Sequence, residues 1–192
     1  MGKEYDALND KLISFIERQK MFFVATAPLT HEGHVNVSPK GYDSFAILGP
    51  NEVAFCDLGG SGAETIAHIR DNGRITIMFC AFEGAALILR LYGKATVTQF
   101  NEPGFAEAMK SFPDIERARS VIKIEVTRIA DSCGWSVPFY EFQSERDQLR
   151  RHVGVMPFED WKEKRLKTNA QSIDGLPAVL RYEDQDDETE KK

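Results

Sequence analysis

The chain has 192 residues, 42% of them hydrophobic and 28% charged, the balance of a single soluble globular domain, which excludes fibrous, collagen-like and wholly disordered chains. Thirty acids against 24 bases give a net charge of −6; the last ten residues, EDQDDETEKK, hold six acids and two lysines, so −4 sits there and −2 on the other 182. A body so near neutrality lacks the positive field of sequence-independent nucleic-acid binding, no apolar run approaches the roughly 18 to 20 residues that cross a bilayer, and MGKEYDALNDK lacks the apolar core of a signal peptide.

These features predict a cytoplasmic protein. Its three cysteines, Cys56, Cys80 and Cys133, are far apart, odd in number and without a CxxC pair, so buried thiols are expected rather than disulfides or a zinc site.

In chain order, residues 4–20 read as an amphipathic helix, because Tyr5, Leu8, Leu12, Phe15 and Ile16 recur at spacings of three and four. From Met21 the period changes. MFFVATAP, HVNVSPK, SFAIL, EVAFCD, RITIMF, AALILRLYGKATVT and SVIKIEVTRIAD are short β-branched and aromatic runs bounded by Gly, Pro, Asn and Asp, about seven strands by residue 131. Two helices interrupt them, over 62–71 and about 102–111, the second opening at Glu102-Pro103. Strands with inserted helices, rather than a regular alternation, favour a closed antiparallel barrel. Helical charge patterning returns over 144–152 and 158–167, and the acidic end reads as a solvated tail. The expected organisation is a barrel domain over 1–142, a helical extension packed on it over 143–182, and a disordered acidic tail over 183–192.

Three segments carry candidate chemistry. In residues 34–40, His34, Asn36, Ser38 and Lys40 share one strand face and Val35, Val37 and Pro39 the other. This reads either as a strand with one wet face or as one wall of a groove for an anion. Arg90, Tyr92 and Lys94 form a competing polar row opposite Leu89 and Leu91. The second segment is Gly59-Gly60-Ser61-Gly62-Ala63-Glu64-Thr65, between a strand and a helix. Ser61 and Glu64 have capping-box spacing, and glycines before a helix start leave backbone N–H groups open to an anion. The turn matches neither a Walker loop nor GxGxxG, and it reads equally as a well-capped glycine turn. The third is Cys133-Gly134-Trp135-Ser136-Val137-Pro138, whose Trp can cover a planar ligand or a partner subunit, or seal a core edge. His31 and His34 have no further ligand near them, HEGH is one residue short of the zinc-protease spacing, and no GxSxG elbow occurs. His68 follows the glycine turn and is expected to be packed or capped.

Taken together, Asn36-Val37-Ser38-Pro39-Lys40-Gly41, Gly60-Ser61-Gly62-Ala63-Glu64-Thr65-Ile66-Ala67-His68, Arg90-Leu91-Tyr92-Gly93-Lys94-Ala95 and Cys133-Gly134-Trp135-Ser136-Val137-Pro138 resemble the pyridoxamine 5′-phosphate oxidase-like family of FMN-binding split β-barrels, over about residues 5–142. The resemblance implies a mainly β fold with flanking helices, a six-stranded antiparallel split barrel, and a homodimer with FMN at the subunit interface. It implies an FMN-dependent oxidoreductase acting on a small molecule, with no nucleic-acid or membrane partner. The implied FMN contacts are Ser61, Gly62 and Thr65 as phosphate donors, Lys40 or Arg74 as the cation, Asp57 beside the turn, the backbone of Val37, Ser38, Pro39 and Lys40 along the flavin edge, and Trp135, Val137 and Pro138 over the ring from the other chain. Members making the vitamin carry Ser-Arg-Lys in the phosphate turn, whereas Gly62 and Ala63 follow Ser61 here, and their basic C-terminal substrate segment is not recognisable. An oxidoreductase other than the vitamin-synthesising one is therefore expected. Its alternatives are a flavin- or haem-binding storage or sensor protein without turnover and a plain dimeric β-barrel interaction module.

Overall fold

A computed structural model describes residues 2–182; the predicted acidic tail lies outside them. All seven expected strands form: β2 (Phe22–Thr26), β3 (Asn36–Lys40), β4 (Phe45–Gly49), β5 (Glu52–Asp57), β6 (Arg74–Cys80), β7 (Ile88–Gln99) and β8 (Ser120–Ser132). A short β1 (Glu4–Tyr5) makes an eighth, two more than the implied six. Every pairing is antiparallel, in the order β3-β2-β6-β7-β8-β5-β4, with β1 on β8. The β4 end of this order meets β2 and β6, near its other end, through side chains. Phe22 of β2 packs edge-on against Phe45 of β4 at 5.2 Å, and Phe45 against Phe79 of β6 at 5.1 Å. The sheet is thus a split antiparallel barrel: antiparallel as the residue pattern predicts, and split as the family resemblance implies.

Alternation fills its interior. Val24, Ile77, Leu89, Leu91, Ile122, Ile124 and Ile129 each bury their side chains there, and this removal of apolar surface from water is the main term holding the barrel. The alternation along β7 slips at Tyr92 and Gly93, where its register against β8 shifts. Only glycine fits at that bulge, because a Cβ on Gly93 would lie 2.3 Å from the Glu125 carbonyl oxygen.

The first helix, α1 (Asp10–Arg18), is shorter than predicted. Asn9 caps it by accepting a hydrogen bond from the Leu12 N–H at 3.1 Å. The residues before the cap turn away to pair with β8, where the Tyr5 hydroxyl donates to Asp131 at 2.6 Å; the helical spacing of Tyr5 was a coincidence of pattern. The helix expected over 102–111 also shrinks, to α3 (Phe105–Ala108) and a 3-10 turn over Met109–Ser111. Its proposed opening residue, Glu102, instead bends back to accept from the Gln99 N–H at 3.0 Å. The second predicted helix forms as α2 (Glu64–Asn72), and residues 143–182 carry α4 (Gln148–Gly154) and α5 (Phe158–Thr168). Leu166 of α5, Ala178 and Val179 pack on Ala63, Ile66 and Ala67 around the start of α2, forming an apolar cluster outside the barrel. Cys56 and Cys80 are buried as expected. Cys133 is exposed, since it lies in the loop that leaves β8.

Candidate functional site

Strand β3 is an edge strand beside β2, with Phe22 opposite Lys40 and Thr26 opposite Asn36. Its faces are reversed from a simple wet-face strand. Val35 and Val37 are 72% and 62% exposed, while the polar side chains of Asn36, Ser38 and Lys40 turn partly inward. Asn36 Nδ2 donates to Thr26 Oγ1 at 3.2 Å and Thr65 Oγ1 at 3.0 Å, joining β3 to α2. His68 is fully buried, with Nδ1 3.0 Å from Thr26 Oγ1. Burial holds its pKa below the usual imidazole value, so it is a neutral packed histidine. Ser38 Oγ is buried with no partner among the described residues.

At the far end of β3, the Lys40 ammonium reaches across the split of the barrel to Asp57 Oδ1 at 3.4 Å. Asp57 closes β5 and is itself gripped by Arg119, whose Nη2 and Nε donate to Oδ2 at 2.6 and 3.1 Å. Arg119 is held to Asp57 by sequence-distant pairing, its N–H donating to the Asp57 carbonyl at 2.7 Å. Burial alone would push the Asp57 pKa up; the charges of Arg119 and Lys40, with hydrogen bonds from Arg119 and the Gly59 N–H, outweigh it and hold the carboxyl far below its usual range.

The glycine turn is tied to this cluster through two arginines. Arg119 Nη1 donates to the Gly62 carbonyl at 2.8 Å, and Arg165 Nη1 of α5 donates to the Gly60 carbonyl at 2.7 Å. Asn169 Nδ2 donates to Gly60 at 3.2 Å and Ser61 at 3.1 Å. Asp57 is thus set among three cations, Lys40, Arg119 and Arg165, a net charge of +2 behind the turn. Arg165 is 7% exposed, and burial and the neighbouring Arg119 lower its pKa. Because the peptide units are trans, each inward carbonyl sends the next residue's N–H the opposite way. The N–H groups of Ser61, Gly62 and Ala63 therefore point out of the turn, and among the described residues they have no acceptor.

The expected capping box is absent. Ala63 takes the cap position of α2 with no side-chain hydrogen bond, because the Ser61 carbonyl is tied to Asn169 and the Glu64 carboxylate accepts from the Ile173 N–H at 3.3 Å. A Cβ on Gly62 would stand 2.3 Å from Glu64 Oε2, so a larger residue there would have to displace the Glu64 carboxylate. In front of the turn lies a cavity of about 590 Å³ walled by Asn36, Val37, Ser61, Gly62, Glu64 and the 171–173 segment.

The residues singled out by sequence are thus partly assembled. Val37, Ser38, Pro39 and Lys40 line β3, Lys40 meets Asp57, and Ser61, Gly62 and Thr65 gather at its other end. Arg74 lies beyond the opposite end of α2, bonded to Asn72 Oδ1 and the Pro28 carbonyl. Trp135, Val137 and Pro138 occupy the loop after β8, Trp135 being 86% exposed. His34 pairs at the surface with Asp174 at 2.6 Å, and no group of three metal-ligating side chains occurs among the described residues. Within them, too, no helix is long and apolar enough to cross a membrane.

Sequence reasoning missed Arg119, Arg165 and Asn169. A signal existed for two of them: Trp161, Arg165 and Asn169 are spaced four apart, placing an arginine and an asparagine on the face of α5 that buries Trp161.

These donors suit a phosphate-bearing group: three outward N–H groups, the Ser61 hydroxyl and a positive cluster behind them form an anion cradle of the kind oriented backbone amides make. The unpartnered Ser38 hydroxyl on the neighbouring strand adds a polar contact for the rest of such a ligand.

The family model described as pyridoxamine 5′-phosphate oxidase matches residues 8–133. The pyridoxamine 5′-phosphate oxidase family protein ustO of Aspergillus flavus is 36% identical over 197 residues, covering 91% of this chain and 77% of that protein. Among solved structures, HupZ of Group A Streptococcus is 25% identical, with a TM-score of 0.52 over 64% of this chain and 91% of that one; a point variant of HupZ reaches 0.53 over 65% and 98%. Matched by the family model through all of its long strands and by ustO over nearly its whole length, the chain belongs to the pyridoxamine 5′-phosphate oxidase family.

Proposed function

We propose that the chain is an FMN-binding oxidoreductase acting on a small molecule in the cytoplasm, working as a homodimer with the flavin at the subunit interface. The observation that carries the reading is the row of outward N–H groups at Ser61, Gly62 and Ala63, backed by a buried cluster of net positive charge. A flavin phosphate is nearly dianionic, and charge-assisted hydrogen bonds from fixed N–H groups are the stronger kind. When bound, the flavin supplies the electron and hydride chemistry.

The chain's own residues then hold and orient. Ser61, Gly62 and Thr65 would take the phosphate, the last already fixed by Asn36. The β3 backbone from Val37 to Lys40 would run along the ring edge, with Lys40 bringing a cation that Asp57 keeps in place. The outward apolar row of Val35 and Val37, with Trp135 and Pro138, would be covered by the second copy, whose Trp135, Val137 and Pro138 shield the ring from water. Family membership and the cradle support this together.

The test is to purify the protein, record its visible spectrum and titrate the apo form with FMN. Flavin bands or saturable uptake support the reading, and the absence of both refutes it. If FMN binds, Lys40→Ala is expected to weaken it by about tenfold, the size of one charged contact, while Arg119 keeps Asp57 paired and the fold intact. Unchanged affinity would remove Lys40 from the site.

A further inference from the structure

The cavity in front of the glycine turn has no lysine or arginine in its wall and carries the Glu64 carboxylate beside Gly62, so the positive charge that recognises a phosphate there must act from behind the backbone and outweigh that carboxylate. We propose that Arg165 of α5 and Asn169, which caps its C-terminus, are positioning residues for phosphate recognition: by holding the Gly60 and Ser61 carbonyls inward they aim the Ser61 and Gly62 N–H groups at the ligand, and Arg165 adds positive field behind them. The inference rests on the flavin reading and assigns a role in it to the C-terminal extension.

Three observations carry it. Arg165 and Asn169 are 7% and 0% exposed, and Arg165 Nη1 and Asn169 Nδ2 donate to the turn rather than to a surface carboxylate, while Arg165 Nε has no partner among the described residues. Arg165 Nη1 also contacts Asn169 Oδ1 at 3.3 Å, so the two form one unit. The turn they hold contains Gly59, Gly60 and Gly62, with Gly59 at φ 79°. Such a segment loses much conformational freedom when it orders, and fixing it before the ligand arrives lowers that cost at binding. Arg119 alone reaches only the Gly62 carbonyl.

A role in phosphate recognition separates from a general structural role by comparing two ligands that differ only in the phosphate. Dissociation constants for FMN and riboflavin are measured on the full chain for the wild type, Arg165→Gln, Arg165→Lys and Asn169→Ala. The inference predicts that Arg165→Gln weakens FMN at least ~10-fold, with riboflavin changed little and Arg165→Lys restoring part of the loss. Asn169→Ala, a smaller change, keeps the test open if Arg165→Gln does not fold, and is expected to weaken FMN selectively as well. Equal losses for both ligands, or no loss of FMN, would overturn the inference while leaving flavin binding in place. A wild type that binds FMN no better than riboflavin also overturns it, and a wild type that binds neither removes the flavin reading and the inference together.

Discussion

Asp57→Asn is expected to lower stability by about 3–5 kcal/mol, the usual cost of breaking one partner out of a buried charge set. The side chain is 2% exposed and neutralises Arg119 at 2.6 Å and Lys40 at 3.4 Å. Asparagine keeps the shape and loses the charge, leaving Arg119, Lys40 and Arg165 facing one another with no counterion. The pH dependence follows from the depressed pKa of Asp57. A carboxyl whose folded pKa lies below its unfolded value of roughly 3.9 stabilises the fold fully above that value, and the contribution drains away as pH falls towards the folded pKa. Urea unfolding of wild type and variant should therefore differ most at neutral pH and by less at pH 3. A difference that stays constant across that range would mean the carboxylate charge is not what holds the cluster.

Trp161→Ala should cost about 3–5 kcal/mol, as truncations of large buried aromatics do, and the damage should fall on the C-terminal extension. Trp161 is 1% exposed, packing edge-on against Phe100 at 5.2 Å and stacking on Phe158 at 5.9 Å. The apolar cluster that α5 joins lies outside the barrel's own core, so the strands keep most of their contacts. Limited proteolysis is the measurement: cleavage within 158–168 should accelerate while the barrel fragment persists. Equal resistance in variant and wild type would show that α5 is held by something other than this side chain. Since α5 carries Arg165 and ends at its cap residue Asn169, the loosened variant is expected to bind FMN poorly.

Much of this architecture could be read from residue pattern, for reasons tied to particular residues. Strands such as Arg74–Cys80 and Ser120–Ser132 alternate because one side of each faces the barrel interior, and alternation is local information. Tyr5 and Leu8 keep helical spacing although they lie before α1, and Asn9 carries the cap signal at which the helix begins. In β3 the two faces were legible but not which one turns inward, since that depends on α2 packing from outside the strand. The glycine turn was visible as a candidate anion site. Its supports were not, because Arg119 and Arg165 are 57 and 105 residues from the carbonyls they hold, and a single sequence carries no sign of such pairings.

The claim that a flavin is gripped through its phosphate by the amides of the glycine turn is read most directly by phosphorus-31 NMR of FMN bound to the wild-type protein. Free FMN carries a phosphate whose second proton titrates near pH ~6, so its resonance moves across neutrality. Held by the Ser61, Gly62 and Ala63 N–H groups over the Arg119–Arg165 cluster, the dianion should give a displaced resonance that does not move between pH 5 and 8. A bound FMN whose phosphorus signal titrates like the free ligand would contradict the account.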